Sequence, residues 1–334
     1  MKKEILKTEE AISFIKQTFE SELKKNLNLT KISAPIAVFS DTGINDDLNG
    51  TERSVTFPIK ALSDRQAVIV NSLAKWKRIR LQELDVEEGQ GILTDMRAIR
   101  PDEDYSPIHS IYVDQWDWEK TISKNHRSIR FLKEEVLKIY DSLKRTETLF
   151  AKKYKSIDPI LPKEIKFISS EELLHKYPDL DPKERETEIT KEFGAVFLIG
   201  IGAKLSDGKT HDGRAPDYDD WSSKNEDGGF GLNGDILLWN PILKDSFEIS
   251  SMGIRVDKNS LSNQLELKSE EKRKEHLYHK LILTESVPQS IGGGIGQSRV
   301  CMFILRKKHI GEVQAGIWSD LIRKKMKEKG IFLL

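Results

Sequence analysis

The sequence predicts an α+β fold, a mixed, mostly antiparallel sheet flanked by helices, and three observations carry that expectation. Strand-like stretches come in neighbouring pairs, 92–99 with 108–118 and 232–239 with 246–256, the second pair joined by Asn240-Pro241 as a hairpin. Helical stripes are inserted between these pairs, which suits an antiparallel sheet better than a string of βαβ units. Near the end, glycines alternate at 292, 294 and 296, the period of a strand, ahead of the apolar run Val300-Cys301-Met302-Phe303-Ile304-Leu305.

Each element follows from local chemistry. Ile12, Ile15, Phe19 and Leu23 recur at helical spacing within 5–25, and Leu29, Ile32, Pro35 and Ile36 then mark a change to extended chain. Val68-Ile69-Val70 reads as a short buried strand running into a helix over Ser72-Leu73-Ala74-Lys75-Trp76-Lys77-Arg78. In 108–118, Ile111, Val113, Gln115 and Asp117 share one face while Tyr112, Asp114, Trp116 and Trp118 share the other. Both faces mix polar with large apolar groups, so this strand is expected to border a wet cavity. Ile129, Leu132, Val136, Ile139 and Leu143 form a helical stripe, and the charged, proline-punctuated stretch 152–163 is a connection. Asp181-Pro182 with Glu184 opens a further helix that Gly194 closes, because a capping carboxylate, a first-turn proline and a terminal glycine suit those ends. Apolar 195–201 follows as a buried strand. Residues 204–234, rich in Gly, Asp, Ser and Asn, are long for an idle connection, and a functional loop is expected. No repeat or linker divides the chain, so residues 1–334 are expected to form a single domain.

Lys+Arg and Asp+Glu both number 54, so no bulk positive field exists to hold a polyanion and nucleic acid is excluded as the main partner. The one cysteine, Cys301, cannot form an internal disulfide, which fits a reducing compartment. Met1-Lys2-Lys3-Glu4 is followed by mixed charge, and no apolar run approaches a membrane span. A cytoplasmic protein with no membrane partner is expected.

Gly292-Gly293-Gly294-Ile295-Gly296-Gln297-Ser298-Arg299 is the most informative stretch. It fits neither a dinucleotide fingerprint, which needs a following βαβ unit, nor a phosphate loop, which needs Lys and then Ser or Thr after the last glycine. A glycine-paved strand entering a helix with Arg299 suits an adenine ring over Gly292, Gly294 and Gly296 and a phosphate near the guanidinium; a glycine-rich turn of no special purpose is the alternative. Arg100, at a strand end before Pro101-Asp102-Glu103-Asp104, is placed to hold an α-phosphate, unless it pairs with those acids. Asp235 and Glu248 lie on the paired strands across Asn240-Pro241. Brought together they would repel unless a cation such as Mg²⁺ sat between them; two separately exposed acids are the other reading. Gln115 and Asp117 offer an amide and a carboxylate side by side. Asp46, Lys77, Asp219, Ser250 and Ser251 are further polar residues beside structured segments.

The glycine strand with Arg299, Arg100 before its loop and the two-acid pair together resemble the catalytic domains of class II aminoacyl-tRNA synthetases. Leu29, Ile32, Pro35 and Ile36 look like the first motif of that family, 96–118 with Arg100 like the second, and 292–299 like the third, with Ser298 standing where an acid is usual. Beyond this, the helix string at 72–78, Arg100-Pro101-Asp102-Glu103-Asp104, Tyr112-Val113-Asp114-Gln115-Trp116-Asp117-Trp118, Ala215-Pro216-Asp217-Tyr218-Asp219-Asp220-Trp221 and Phe247-Glu248-Ile249-Ser250-Ser251-Met252-Gly253-Ile254-Arg255 resemble the ammonia-dependent asparagine synthetases over nearly the whole chain.

That resemblance implies one catalytic domain, a seven- or eight-stranded sheet, a homodimer, and ATP-dependent conversion of L-aspartate and ammonia to asparagine through β-aspartyl-AMP. By the same resemblance Arg100, Arg299, Arg255 and the three glycines would bind ATP, and Asp235 and Glu248 would hold Mg²⁺. Lys77, Asp117, Asp219, Ser250, Ser251 and Gly294 would bind aspartate, with Lys77 on its α-carboxylate. Asp46 would hold aspartate and take a proton from ammonium, with Gln115 orienting the acyl group. Three rival readings are weaker. A tRNA-charging enzyme would need an anticodon-binding module and a basic face. A glutamine-dependent enzyme would need an N-terminal cysteine, where Lys2 stands. A non-catalytic regulator that binds amino acid or ATP has no need of both phosphate arginines and a metal pair.

Overall fold

The long helix α1 (Lys2–Leu27) opens the computed structural model, which describes residues 2–46, 52–155 and 157–334. In chain order it is followed by β1 (Leu29–Lys31), β2 (Ala37–Phe39), β3 (Thr56–Ile59), β4 (Arg65–Ile69), α2 (Ala74–Glu83), β5 (Gly91–Ile99) and β6 (Tyr112–Thr121). Next come α3 (Ile129–Tyr154), β7 (Lys166–Ser169), α4 (Ser170–Lys176), α5 (Pro182–Phe193), β8 (Ala195–Ile199), β9 (Asn233–Asn240) and β10 (Asp245–Ile254). The chain closes with α6 (Lys258–Leu267), α7 (Leu277–Leu283), β11 (Ser290–Gly296), α8 (Gln297–Ile304) and α9 (Asp320–Glu328).

Among the described residues the main sheet has eight strands in the order β1-β5-β6-β11-β10-β9-β8-β7. Its interior pairings are antiparallel, and the two edge pairings, β1 with β5 and β7 with β8, are parallel. The mixed, mostly antiparallel sheet expected from the sequence is therefore what forms. Strands β2, β4 and β3 make a separate small sheet, of which the sequence announced only the strand at 68–70, realised as the end of β4; β2 and β3 are short and without a buried residue.

One face of the main sheet carries Trp116, Trp118, Met252, Ile291 and Ile295 and packs on α1, α3 and α8 in the largest apolar cluster. Phe19 of α1 meets Trp116 with ring centroids 4.5 Å apart. The opposite face carries the polar side chains of the site, so the alternation of β6 divides core from cavity residue by residue. α5 forms as its caps dictate, with Asp181 and Glu184 closing a capping box and Gly194 at φ 77°. The predicted strand over 108–118 is shorter at its start and longer at its end. Residues 101–111 form a loop whose apolar member Ile108 packs on the core without joining the sheet. No helix among the described residues is long and apolar enough to cross a membrane.

Candidate active site

Register places the candidate residues in rows across the polar face. Asp117, Gly294, Ser251 and Asp235 stand directly opposite one another on β6, β11, β10 and β9, so they form one row over four strands. Gln115 pairs with Gly296 on one side of that row. Glu119, Gly292, Gly253 and Asn233 form a row on the other side.

Above these rows lie two adjoining lobes of about 210 and 260 Å³, which together fall in the size range of small-molecule sites. They share Arg100, Glu103, Gln115, Glu248 and Gly294. The first lobe adds His109, Ser110, Gly296, Ser298 and Arg299, and the second adds Asp46, Asp117, Arg214, Tyr218, Asp219, Ser251 and Arg255. Arg100 stands at the neck, and its guanidinium donates to the Asn71 carbonyl at 3.3 and 3.4 Å. Asp46 accepts from the Ser72 hydroxyl at 2.9 Å, so the entry to α2 fixes it at the second lobe. Asp235 lies on the second lobe's row, where Arg214 pairs with it at 2.8 Å. Burial pushes the His109 imidazole down to about 4, helped by Arg299, so at neutral pH it faces the first lobe uncharged.

Several residues that the sequence grouped at the site stand elsewhere. Gly292 is buried, and a Cβ there would fall onto the Glu119 carboxylate, 2.6 Å from its carbon. The bare strand face expected to floor an adenine is thus filled at Gly292 by a side chain of β6, and the cavity reaches Gly294 and Gly296 alone of those three. Lys77 is fully enclosed beneath the floor and donates to Asp117, to the Trp118 carbonyl at 2.9 Å and to the Gly293 carbonyl at 3.2 Å. Its donors are all used, which removes it as a direct contact for a substrate carboxylate. Ser250 points to the core face, because a bulge between Glu248 and Ser250 turns it away while Ser251 remains on the cavity face. Arg255 is enclosed between Glu119, at 2.8 Å, and Asp219, and touches the second lobe, not the lobe of Arg299. These corrections share one cause, since spacing along a strand or helix does not report what the neighbouring element places over it.

Two contributors were missed. Arg214 comes from the long loop 204–234, which folds back on itself through bridges Lys204–Thr210 and Lys224–Phe230 and brings Arg214, Tyr218 and Asp219 to the cavity. The Nε of Arg214 has no hydrogen-bond partner among the described residues. Asp114, on the core face of β6, accepts from the Ser298 amide at 3.0 Å and pairs with Lys16 of α1 at 2.8 Å. It supplies from the neighbouring strand a carboxylate at the start of α8, beside the position where Ser298 lacks one.

Charge along the polar face alternates from group to group. It runs from Asp117 to Lys77, to Glu119 at 3.9 Å, to Arg255, to Asp219, to Arg214 at 3.7 Å, to Asp235, and then from Glu248 to Arg299 at 3.4 Å. The alternation fails at one link, Asp235 beside Glu248, where two acids adjoin. Burial pushes the Asp235 carboxyl up to about 6, with Arg214 pulling it down and the Glu248 charge adding to the rise.

The sequence matches the family described as aspartate–ammonia ligase over residues 6–330. The aspartate–ammonia ligase of Parabacteroides distasonis is 56% identical over 98% of this chain and 95% of its own length. Those of Bacteroides thetaiotaomicron and Clostridium perfringens are 53% and 54% identical, over 99% and 98% of this chain and 96% and 95% of theirs. Among solved structures, the asparaginyl-tRNA synthetase of Pyrococcus horikoshii complexed with asparaginyl-adenylate superposes with a TM-score of 0.67, covering 92% of this chain and 68% of that one at 16% identity. The asparaginyl-tRNA synthetase of Entamoeba histolytica, likewise with asparaginyl-adenylate, gives 0.67 over 93% and 66% at 12% identity. At those identities the likeness is one of fold, and the fold is the class II synthetase sheet with its flanking helices. With relatives more than half identical along nearly the full length, the chain belongs to the aspartate–ammonia ligase family.

Proposed function

We propose that this chain makes L-asparagine from L-aspartate and ammonia, using ATP and passing through β-aspartyl-AMP. The observation that carries the reading is the two-lobed cavity with Arg100 and Gln115 at its neck. One lobe offers Gly296, His109 and Arg299 to a nucleotide, and the other offers carboxylates to a substrate ammonium. An oxygen of the aspartate side chain attacks the α-phosphorus at the neck, the bond to the bridging oxygen breaks, and pyrophosphate leaves. Arg100 and Arg299 stabilise the charge that grows on the phosphate oxygens. Asp46 accepts the proton that ammonium sheds, the resulting ammonia attacks the acyl carbon with Gln115 orienting the acyl group, and AMP departs as the nitrogen gives up its second proton to the leaving phosphate. Asp117, Asp219 and Ser251 hold the amino acid. Because Lys77 is enclosed, the α-carboxylate falls to Arg214, which lines the second lobe and pairs there with Asp235 and Asp219. We propose further that the chain works as one catalytic unit, in the cytoplasm, as a homodimer.

Asp235 and Glu248 fit a Mg²⁺ ion, because they are the one adjoining pair of like charges in the alternating series. When bound, the ion supplies positive charge to phosphate oxygens. The sign of its pH dependence follows from the raised Asp235 carboxyl. A carboxyl whose folded pKa, about 6, exceeds its ordinary 3.8 contributes stability below 3.8 that is lost as pH rises to 6. A cation needs the ionised form, so Mg²⁺ raises the melting temperature more at about pH 7.5 than at about pH 5. Asp235→Asn removes that difference; an equal Mg²⁺ effect at both pH values would refute the assignment.

Aspartate-dependent exchange of pyrophosphate into ATP tests the whole reading. The wild-type chain shows it, and Asp46→Asn keeps it while losing asparagine formation from ammonium. Absence of exchange would favour a non-catalytic binder, and asparagine formation at the wild-type rate in Asp46→Asn would remove that residue from the second step.

A further inference from the structure

Glu119 is fully buried under the floor and reaches neither lobe, yet it holds both cations that stand behind the substrate acids. Arg255 donates to its two oxygens from Nε at 2.9 and 3.1 Å and from Nη2 at 2.8 Å. Lys77 stands 3.9 Å away on the other side, and the Ser290 hydroxyl donates at 2.7 Å. Each of those cations is turned to one cavity acid, Lys77 to Asp117 and Arg255 to Asp219. The space for this arrangement comes from two glycines in one row. A Cβ on Gly292 would fall onto Glu119, and a Cβ on Gly253 would lie 2.8 Å from Asp219 Oδ1.

We propose that Glu119 is a positioning residue that fixes the separation and orientation of Asp117 and Asp219 through Lys77 and Arg255, and so sets the site for the α-ammonium of the amino-acid substrate. The inference rests on the function proposed above. Without the Glu119 charge, Lys77 and Arg255 repel each other across the gap and each is free to swing away from its acid. Nothing in this network touches the lobe of Arg299 and Gly296, so the nucleotide is unaffected. Both cations are buried, and burial opposes the charge on Lys77 and on Asp117 alike; at Lys77 the Asp117 charge and then the Glu119 charge act against it, and at Asp117 the Lys77 and Arg255 charges do.

The test is the pyrophosphate exchange assay on Glu119→Gln, which keeps shape and removes charge. KM for aspartate rises about 10- to 100-fold, the range typical for loss of a group that orients a ligand-binding side chain, while KM for ATP stays within about twofold. Ser290→Ala, which removes one hydrogen bond and leaves every ion pair, raises KM for aspartate about threefold with the same split. An unchanged KM for aspartate, or equal rises for aspartate and ATP, overturns the proposal. If Glu119→Gln does not fold, the Ser290→Ala split decides alone. Wild-type protein without aspartate-dependent exchange would sink the functional reading instead, so the two failures are distinct.

Discussion

Arg100→Ala lowers aspartate-dependent pyrophosphate exchange by about 10²- to 10³-fold, the loss expected when one preorganised donor to a developing charge is removed. Its melting temperature stays close to wild type. The structural argument is the contrast between where Arg100 stands and how little holds it. It lines both lobes at their neck, where the proposed reaction brings the phosphate and the attacking carboxylate together, yet among the described residues its guanidinium makes two long hydrogen bonds, both to one carbonyl. A guanidinium that stabilised the fold would resemble Arg255, locked between two buried acids. Arg100→Lys restores little, because a point charge cannot present two parallel donors to adjacent oxygens. Exchange within about threefold of wild type in Arg100→Ala would remove the residue from the first step.

Adjacent glycines of β11 separate folding from chemistry. Gly293→Ala is expected to yield little folded protein, because its Cβ would lie 2.5 Å from Met252 Cβ and 2.7 Å from the Ser251 carbonyl, atoms of a central strand that cannot yield. Overpacking of this kind costs about 1–3 kcal/mol or more. Gly294→Ala meets instead the amide end of Gln115, with its Cδ 2.7 Å from the new methyl. That side chain can rotate, so stability falls by less than about 1 kcal/mol, but Gln115 is driven into the neck and asparagine formation drops by at least about tenfold. Thermal unfolding and activity measured on both variants check the split. Equal stability losses, or an active Gly294→Ala, would show that β11 is packing alone.

Much of this was legible from residue order, and the reasons differ by element. α5 was readable because its start and stop chemistry is local, Asp181 and Glu184 at one end and Gly194 at the other. The β9–β10 hairpin was readable from its turn, and the expected nearness of Asp235 and Glu248 is realised one step off, with Asp235 opposite Ser251 and Glu248 opposite Leu237. α4 carries an equally local signal, a Ser169–Glu172 capping box, that the sequence reading passed over. What spacing could not give was occupancy by neighbours. Lys77 and Gly292 sit on the right elements at the right height, and only the packing of α2 and β6 against β11 shows that one is a buried strut and the other a vacancy filled by Glu119. Arg214 was hidden for a different reason, since a loop has no periodicity from which to read direction.

The bulge in β10 has a consequence for how this sequence can change length. Phe247, Ile249 and Met252 belong to the core and Ser250 turns to the same face, while Glu248 and Ser251 look into the cavity at a spacing of three. The strand therefore has two phases, one on each side of the extra residue, with Glu248 in the first and Ser251 in the second. Deleting a single residue between them would remove the bulge and leave the two side chains at the ordinary same-face spacing of two, matching Leu237 and Asp235 on β9, so both would still face the cavity on a regular strand. Insertions in the turn at Pro241 leave both phases intact as well, so drift in length is tolerated at the tip of the hairpin and, by one residue, at its bulge.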